Sequence, residues 1–214
     1  TGPVKAADGH ARRAEIAYQQ YSDKLPGWLS GFGVQANFTF VNSKIDLHTP
    51  VHSVYCSGGN SADNYNLNLN GCDIDGKTFG DLPLIGLSRQ TYNLALMYDK
   101  GPLSARLAWN WRSKNLQNVN VNGTNGGDGT DTNPASPAVG THTVAWALPT
   151  WSDSYGQLDG SVFYNISDNL SLGVEAQNLT NAKYRQLMQQ SIGMMTRAVF
   201  VSGRRYTASL RYSF

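Results

Sequence analysis

Three short stretches of the sequence contain residue types that could bind a metal ion. Residues 126–131 (GGDGTD) fit one copy of a calcium-binding G-G-x-G-x-D repeat, but a single copy has no second repeat to stack on. Residues 73–76 (DIDG) match part of a calcium loop without the full EF-hand spacing. His48, His52 and Cys56 recur every four residues, yet a proline between the histidines interrupts any helix that would gather them. We therefore predict no metal site and no bound cofactor.

Side chains that would form an enzyme active site do not stand out either. The sequence shows no nucleophile and base arrangement, no glycine-rich phosphate loop and no paired metal ligands. The four histidines all lie outside the strands assigned below: His10, His48, His52 and His142. We therefore predict that the protein is not an enzyme.

The two cysteines, Cys56 and Cys72, lie in a segment rich in Gly, Asn and Ser. A disulfide that closes a surface loop explains them better than metal binding or catalysis. Such a bond indicates a location outside a reducing cytoplasm.

Length and composition narrow the possible classes of protein. The chain has 214 residues, of which 40% are hydrophobic, so it can bury a core and is not predicted to be disordered. Its net charge of +2 is too small and too dispersed to predict a nucleic-acid partner. Only 15% of residues are charged, which is below the value of about 25% that is typical of soluble domains. Part of the surface is therefore expected to face something other than bulk water, although no apolar run is long enough for a membrane-spanning helix.

The strongest signal is an alternation of apolar and polar residues, which places successive side chains on opposite faces of a strand. At the C-terminus Tyr206, Ala208, Leu210, Tyr212 and Phe214 form one apolar face, and the residues between them are polar. Six further segments show the same pattern, so we predict an all-β fold. The seven predicted strands are residues 14–19, 32–40, 92–98, 103–112, 158–166, 170–177 and 205–214.

The connections between these strands alternate in length. Residues 21–30, 99–102 and 167–169 form short turns rich in Gly, Pro, Asp and Asn, whereas the second, fourth and sixth strands are followed by long loops. A soluble β-sandwich also contains half-exposed antiparallel strands. The alternation in loop length instead favours an antiparallel transmembrane β-barrel with short periplasmic turns and long extracellular loops.

Aromatic and charged residues are distributed as expected for such a barrel. None of the apolar faces carries a charge, which fits a cost of about 2–4 kcal/mol for Arg or Lys at the middle of the bilayer. Aromatic residues typical of the two membrane interfaces lie at the ends of the apolar faces: Tyr98, Trp111, Tyr164, Tyr206 and Phe214.

An odd number of strands predicts part of a barrel. Bacterial single-chain barrels have an even number because both termini are periplasmic, so seven strands imply that upstream strands are missing. The alternative is a small complete barrel in which residues 65–70 (YNLNLN) belong to an eighth strand.

Several motifs make the chain similar to a known family. Over most of its length, from about Glu15 to the last residue, it resembles the C-terminal barrel of TonB-dependent outer-membrane receptors. The motifs that carry this resemblance are residues 82–88 (LPLIGLS), 92–94 (YNL), Tyr98, 101–107 (GPLSARL), 110–113 (NWRS), 178–181 (NLTN), 183–184 (KY) and 203–214 (GRRYTASLRYSF).

The resemblance implies a barrel of 22 strands whose lumen is filled by an N-terminal plug, with import driven by the TonB-ExbB-ExbD system acting through that plug. Neither a plug nor a TonB box is visible, so residues 1–214 are predicted to be the C-terminal segment of the barrel. Phe214, after Tyr212 and Leu210, resembles the family's signal for the barrel-assembly machinery. The location implied is the outer membrane of a Gram-negative bacterium, where lipids and lipopolysaccharide would be partners. A surface lipoprotein could be a further partner.

Members of this family grip their substrate with extracellular loops and the upper lumen. The resemblance therefore implies substrate contacts at Trp146, Trp151, Asp153, Tyr155 and Arg112, because aromatic rings stack on sugars and polar groups bind their edges. Trp151 and Tyr155 could instead belong to the extracellular aromatic girdle. Three arginines could face an anionic ligand or simply line the polar lumen: Arg112, Arg185 and Arg197.

The expected activity is TonB-dependent import of a scarce solute. Loops rich in Asn and Trp favour an oligosaccharide, and residues 82–113 resemble receptors for carbohydrate-derived nutrients. A ferric-siderophore receptor, a small passive porin-like barrel and an outer-membrane enzyme are the alternatives.

Overall fold

A computed structural model describes residues 7–47, 74–75, 79, 82–119, 124–132, 134, 137–142, 144–190 and 192–213. Cys56, Cys72, His48, His52, residues 65–70 and Phe214 lie outside the described residues. The disulfide, the eighth strand and the assembly signal at Phe214 therefore stay predictions. No helix in the described part of the chain is long and apolar enough to span a membrane.

The described chain consists of antiparallel strands and one short 3-10 helix, η1 (Gly27–Gly31). The strands are β1 (Ala7–Tyr21), β2 (Phe32–Leu47), β3 (Gln90–Lys100), β4 (Leu103–Arg112), β5 (Asn115–Asn118), β6 (Asn125–Gly129), β7 (Val144–Ala147), β8 (Thr150–Ser152), β9 (Tyr155–Ser167), β10 (Leu170–Gln177), β11 (Lys183–Gln190), β12 (Gly193–Val201) and β13 (Arg205–Tyr212).

Seven of these strands form one sheet in the order β1-β2-β3-β4-β9-β10-β13. They are the seven strands predicted from the alternation, and each pairs antiparallel with its neighbours in that order. The all-β antiparallel prediction is confirmed. Within the described residues the sheet is open, because β1 and β13 each have a single neighbouring strand.

The first strand is longer than the alternation predicted. β1 begins at Ala7, so His10 lies inside a strand and its assignment outside the strands was wrong; His142 does lie between strands. Residues 7–13 show no alternation, and pairing with β2 holds them in place, as between His10 and Lys44 or Arg12 and Asn42. Main-chain pairing of this kind leaves no pattern in the sequence.

The sheet has one apolar face and one polar face, as predicted. A row across the apolar face joins Val34, Leu96, Leu107, Gly160, Ala176 and Tyr206, and the neighbouring row on the opposite face joins Gly33, Met97, Arg106, Ser161, Glu175 and Thr207. The large apolar side chains of the first face are solvent-exposed in the chain by itself: Leu94, Leu96, Leu107, Val162, Tyr164, Val174, Tyr206 and Leu210, among others. We call this the outer face, and the opposite one the inner face.

Aromatic residues occur at two levels of the outer face. Near the short turns, the rings of Phe32 and Tyr98 meet edge to face with centroids 5.0 Å apart. Toward the long loops, Tyr92 and Trp111 stack with centroids 4.8 Å apart. Tyr92 and Tyr98 are separated by six residues of β3, which corresponds to about 20 Å along an extended strand.

A second sheet, ordered β12-β11-β8-β5, continues the first one beyond a break in the pairing. β5 follows β4, β8 precedes β9, β11 follows β10 and β12 precedes β13, and the chain between these pairs lies at residues 113–114, 153–154, 178–182 and 202–204. The sequence predicted loops throughout these stretches. That prediction was wrong: β5 and β8 lie at the two ends of the connection from β4 to β9, and β6 and β7 lie within it. The hairpin of β11 and β12 occupies most of the connection from β10 to β13.

An apolar cluster lies beside the break. Leu82, Leu116, Val119 and Trp151 form its buried part, and Ile45, Phe79 and Leu187 pack against it. The segment 82–89 joins β2 to β5, because Ile45 N donates to Leu82 O at 3.1 Å and Gly86 N donates to Leu116 O at 2.8 Å.

Candidate functional site

Arg112 and Tyr155 lie at the point where the pairing of β4 and β9 ends, directly opposite each other. Arg112 Nη2 donates a 2.7 Å hydrogen bond to Ser152 Oγ, and the guanidinium carbon lies 5.9 Å from the centroid of the Tyr184 ring. Arg112 Nη1 is buried and has no hydrogen-bond partner among the described residues. A buried donor without a partner is costly, so an acceptor oxygen from water or from a ligand would satisfy this nitrogen.

Asp153 and Arg185 form an ion pair across the same break. Arg185 Nη2 lies 2.7 Å from Asp153 Oδ2, and Asp153 N donates to Arg185 O at 2.9 Å. These two contacts join β11 to the chain between β8 and β9. The pair brings Tyr184 close to Tyr155, with ring centroids 6.5 Å apart. We call the five residues Arg112, Asp153, Tyr155, Tyr184 and Arg185 the break cluster.

Hydrogen bonds continue from this cluster down β9. The Tyr155 hydroxyl donates to Gln157 Oε1 at 2.7 Å, and Gln157 Nε2 donates to Asp159 Oδ1 at 2.7 Å. Asp159 Oδ1 also accepts from Asn178 N at 2.9 Å. These polar groups occupy alternate positions of one strand, so the period-two pattern could have identified Gln157 and Asp159 beside Tyr155. Tyr184 was also missed, although it belongs to the KY motif of the family resemblance.

Trp151 is placed beside the break cluster but is packed into protein. Its side chain is buried in the apolar cluster, and its Nε1 donates to Gln189 Oε1 at 2.8 Å. Lys114 Nζ stands 5.4 Å from the centroid of its ring. The indole therefore supports the neighbouring residues and has little free surface for stacking on a ligand.

Trp146 is held apart from the other predicted contacts, in the two-stranded sheet of β6 and β7. Its Nε1 donates to Asp128 Oδ1 at 3.0 Å, and its ring lies against Gly126. The GGDG stretch that resembled a calcium repeat is thus a strand that holds this indole. Among the described residues no group of three His, Cys, Asp or Glu side chains could hold a metal ion.

Arg197, the third arginine considered for an anionic ligand, lies in β12. Its Nη1 donates to Gln186 Oε1 of β11 at 3.4 Å. The structure therefore uses Arg197 in pairing the two strands of this hairpin.

A cavity of about 490 Å³ lies next to Trp151. Lys44, Arg89 and Lys114 are among its lining residues, and the Arg89 guanidinium lies 5.3 Å from the centroid of the Phe40 ring. A cation is attracted to the face of an aromatic ring, and its stem packs on apolar surface. The cavity is consequently suited to an anionic group.

An antiparallel sheet with one exposed apolar face, aromatic residues at two levels and an inner face of polar groups defines the wall of a transmembrane β-barrel. The family model described as "TonB dependent receptor-like, beta-barrel" matches residues 7–179. The chain belongs to this family, whose members are outer-membrane transporters coupled to TonB rather than enzymes. Comparison with curated proteins and with solved structures finds no match.

Proposed function

We propose that the chain forms part of the wall and the upper lumen of an importer for oligosaccharides, and that the break cluster contacts the imported molecule. The observation that carries this proposal is the buried, unpartnered Nη1 of Arg112 beside two tyrosine rings. Energy from the TonB-ExbB-ExbD system would reach this wall through a plug outside these residues.

The chemistry of the cluster suits a sugar. Sugar rings offer hydroxyl oxygens to a guanidinium and apolar faces to tyrosine rings. The Arg185 charge is already balanced by Asp153. One remaining guanidinium is suited to a neutral or singly charged saccharide better than to a highly anionic ferric siderophore.

The cavity lined by Lys44, Arg89 and Lys114 favours the alternative, a ferric-siderophore receptor. The guanidinium of Arg89 and the ammonium group of Lys114 beside one cavity attract a multiply charged anion more strongly than a neutral sugar. Within the described residues the seven-stranded sheet has two open edges, so these residues by themselves do not form a closed passive barrel.

Binding to the purified full-length receptor tests the substrate class. We expect titration calorimetry to show tight binding to at least one oligosaccharide and none to ferric siderophores. Arg112→Gln should weaken that binding by about tenfold or more, because a hydrogen bond to a charged group contributes about 1.5–3 kcal/mol. Uptake by cells should stop when TonB is deleted.

Arg106→Gln is the matched control. Arg106 also lies on the inner face of β4 but donates to Gln35 Oε1 at 3.3 Å, away from the break. Its removal should leave the affinity unchanged. Tight binding of a ferric siderophore without sugar affinity would overturn the oligosaccharide proposal, and uptake that persists without TonB would overturn active import.

A further inference from the structure

The outer face of the sheet contains an apolar groove of about 380 Å³ that crosses β3, β4, β9 and β10. Small residues form its floor, namely Ala105, Gly160 and Ala176, each on a different strand. The large side chains of Leu96, Leu107, Val162 and Val174 surround this floor, and Phe32, Tyr98 and Leu179 also line the groove. Three residues whose register positions belong to the inner face line it as well: Met97, Arg106 and Ser161. Gly160 and Ala176 are opposite each other in the register, and Ala105 lies one outer-face row nearer the short turns, opposite Tyr98 and Val162.

The groove extends to Phe32 and Tyr98, which lie close to the short turns. A charged residue, Lys100, lies at this end of the outer face. Lys100 follows Tyr98 by two residues on β3 and therefore points to the same face. Its Nζ donates to Ser30 Oγ at 2.6 Å and to Gly27 O, and the residue is exposed. An ammonium group has three N–H donors, so one remains for a further acceptor.

Trp28 directly follows Gly27, whose carbonyl accepts from this ammonium group. Its ring is 5.9 Å from that of Phe32 and its side chain is 65% exposed. An exposed indole next to a lysine is typical of the boundary between hydrocarbon and headgroups. Since the short turns of these barrels are periplasmic, the boundary is that of the periplasmic leaflet.

We propose that this groove binds one acyl chain of a glycerophospholipid of the periplasmic leaflet, with Lys100 Nζ bound to its phosphate. The groove is continuous with the face that the family places in hydrocarbon, so an apolar chain is its expected occupant. The cation at one end supplies the complementary charge for an anionic headgroup.

Native mass spectrometry of the full-length receptor, extracted from its membrane in mild detergent, tests this assignment. Wild-type protein should retain a glycerophospholipid. Ala105→Phe fills the groove and should lower this occupancy about tenfold, because the chain loses apolar burial. Ala208→Phe places the same ring on the outer face of β13, outside the groove, and should leave occupancy unchanged.

The headgroup contact is tested with added phosphatidylglycerol. Lys100→Gln should weaken its retention, Lys100→Arg should preserve it, and Lys24→Gln in the preceding turn should have no effect. Equal phospholipid retention by wild type and Ala105→Phe would overturn the proposal. Retention of lipid A or of a bound protein in place of glycerophospholipid would overturn it as well.

Discussion

At the scale of single residues, glycines mark the places where aromatic rings lie against the sheet. A Cβ at Gly156 would come within 2.6 Å of the Trp109 ring and 2.9 Å of the Trp111 ring. Trp111 is directly opposite Gly156 and stacks on Tyr92. Because Gly156 has no side chain, the aromatic rings nearer the long loops can pack against β9.

Gly156→Ala should lower the free energy of unfolding by about 1–3 kcal/mol, because overpacking displaces both tryptophans. Gly160→Ala is the matched control on the same strand and face, since a Cβ there meets Leu179 at an ordinary 3.4 Å. Urea unfolding of the receptor in detergent, followed by tryptophan fluorescence, measures both. Equal stability of the two variants would contradict this role of Gly156.

At the scale of elements, Asn178 fixes the break between β10 and β11. Its side chain is buried, its Oδ1 accepts from Ala182 N at 2.7 Å, and its Nδ2 donates to Gly203 O at 2.9 Å. Its φ of 56° is left-handed, a conformation that Asn and Gly adopt more readily than other residues. One side chain thus joins the two connections, residues 178–182 and 202–204, at the base of the β11 and β12 hairpin, which carries Tyr184 and Arg185.

Replacing Asn178 separates its two contributions. Asn178→Gly keeps the left-handed backbone but loses the side-chain bonds, and should destabilise by about 1–3 kcal/mol. Asn178→Ala should cost about 1–2 kcal/mol more, because alanine is also strained at this φ. Asn181→Gly, at a φ of 53°, is the control with little expected effect. The same unfolding experiment measures the stability of all three variants. If Asn178→Ala were as stable as Asn178→Gly, backbone strain at residue 178 would be contradicted.

At the scale of the whole molecule, the two faces of the sheet require two different surroundings. Every strand of the main sheet exposes large apolar side chains on the outer face, although the first residues of β1 are polar. On the inner face one row of the register consists of amide side chains: Asn37, Asn93, Asn110 and Gln157. Water on both sides would leave the apolar face uncovered, and hydrocarbon on both sides would leave the amides unsolvated.

Cysteine labelling in intact outer membranes measures this orientation, in a receptor whose Cys56 and Cys72 are replaced by alanine. Leu96→Cys and Val174→Cys should react with a lipid-soluble maleimide but not with a charged thiol reagent. Asn93→Cys and Asn110→Cys on the inner face should react with the charged reagent. A charged reagent that labels Leu96→Cys as readily as Asn110→Cys would contradict the membrane orientation.

The amino-acid sequence by itself determined the seven main strands and their two faces, because alternation is a local pattern that needs no knowledge of distant partners. The continuation strands β5, β8 and β11 were decided by tertiary structure. β5 and β8 have only four and three residues, and β11 lacks sustained alternation. Their places depend on contacts such as Gly86 with Leu116 and Asp153 with Arg185, which are far apart in the chain. Arg112, Asp153 and Tyr155 could be predicted as candidates because their residue types are visible in the sequence. Tyr184 was identified as their neighbour only from the pairing of β11 with β8, which is a tertiary contact.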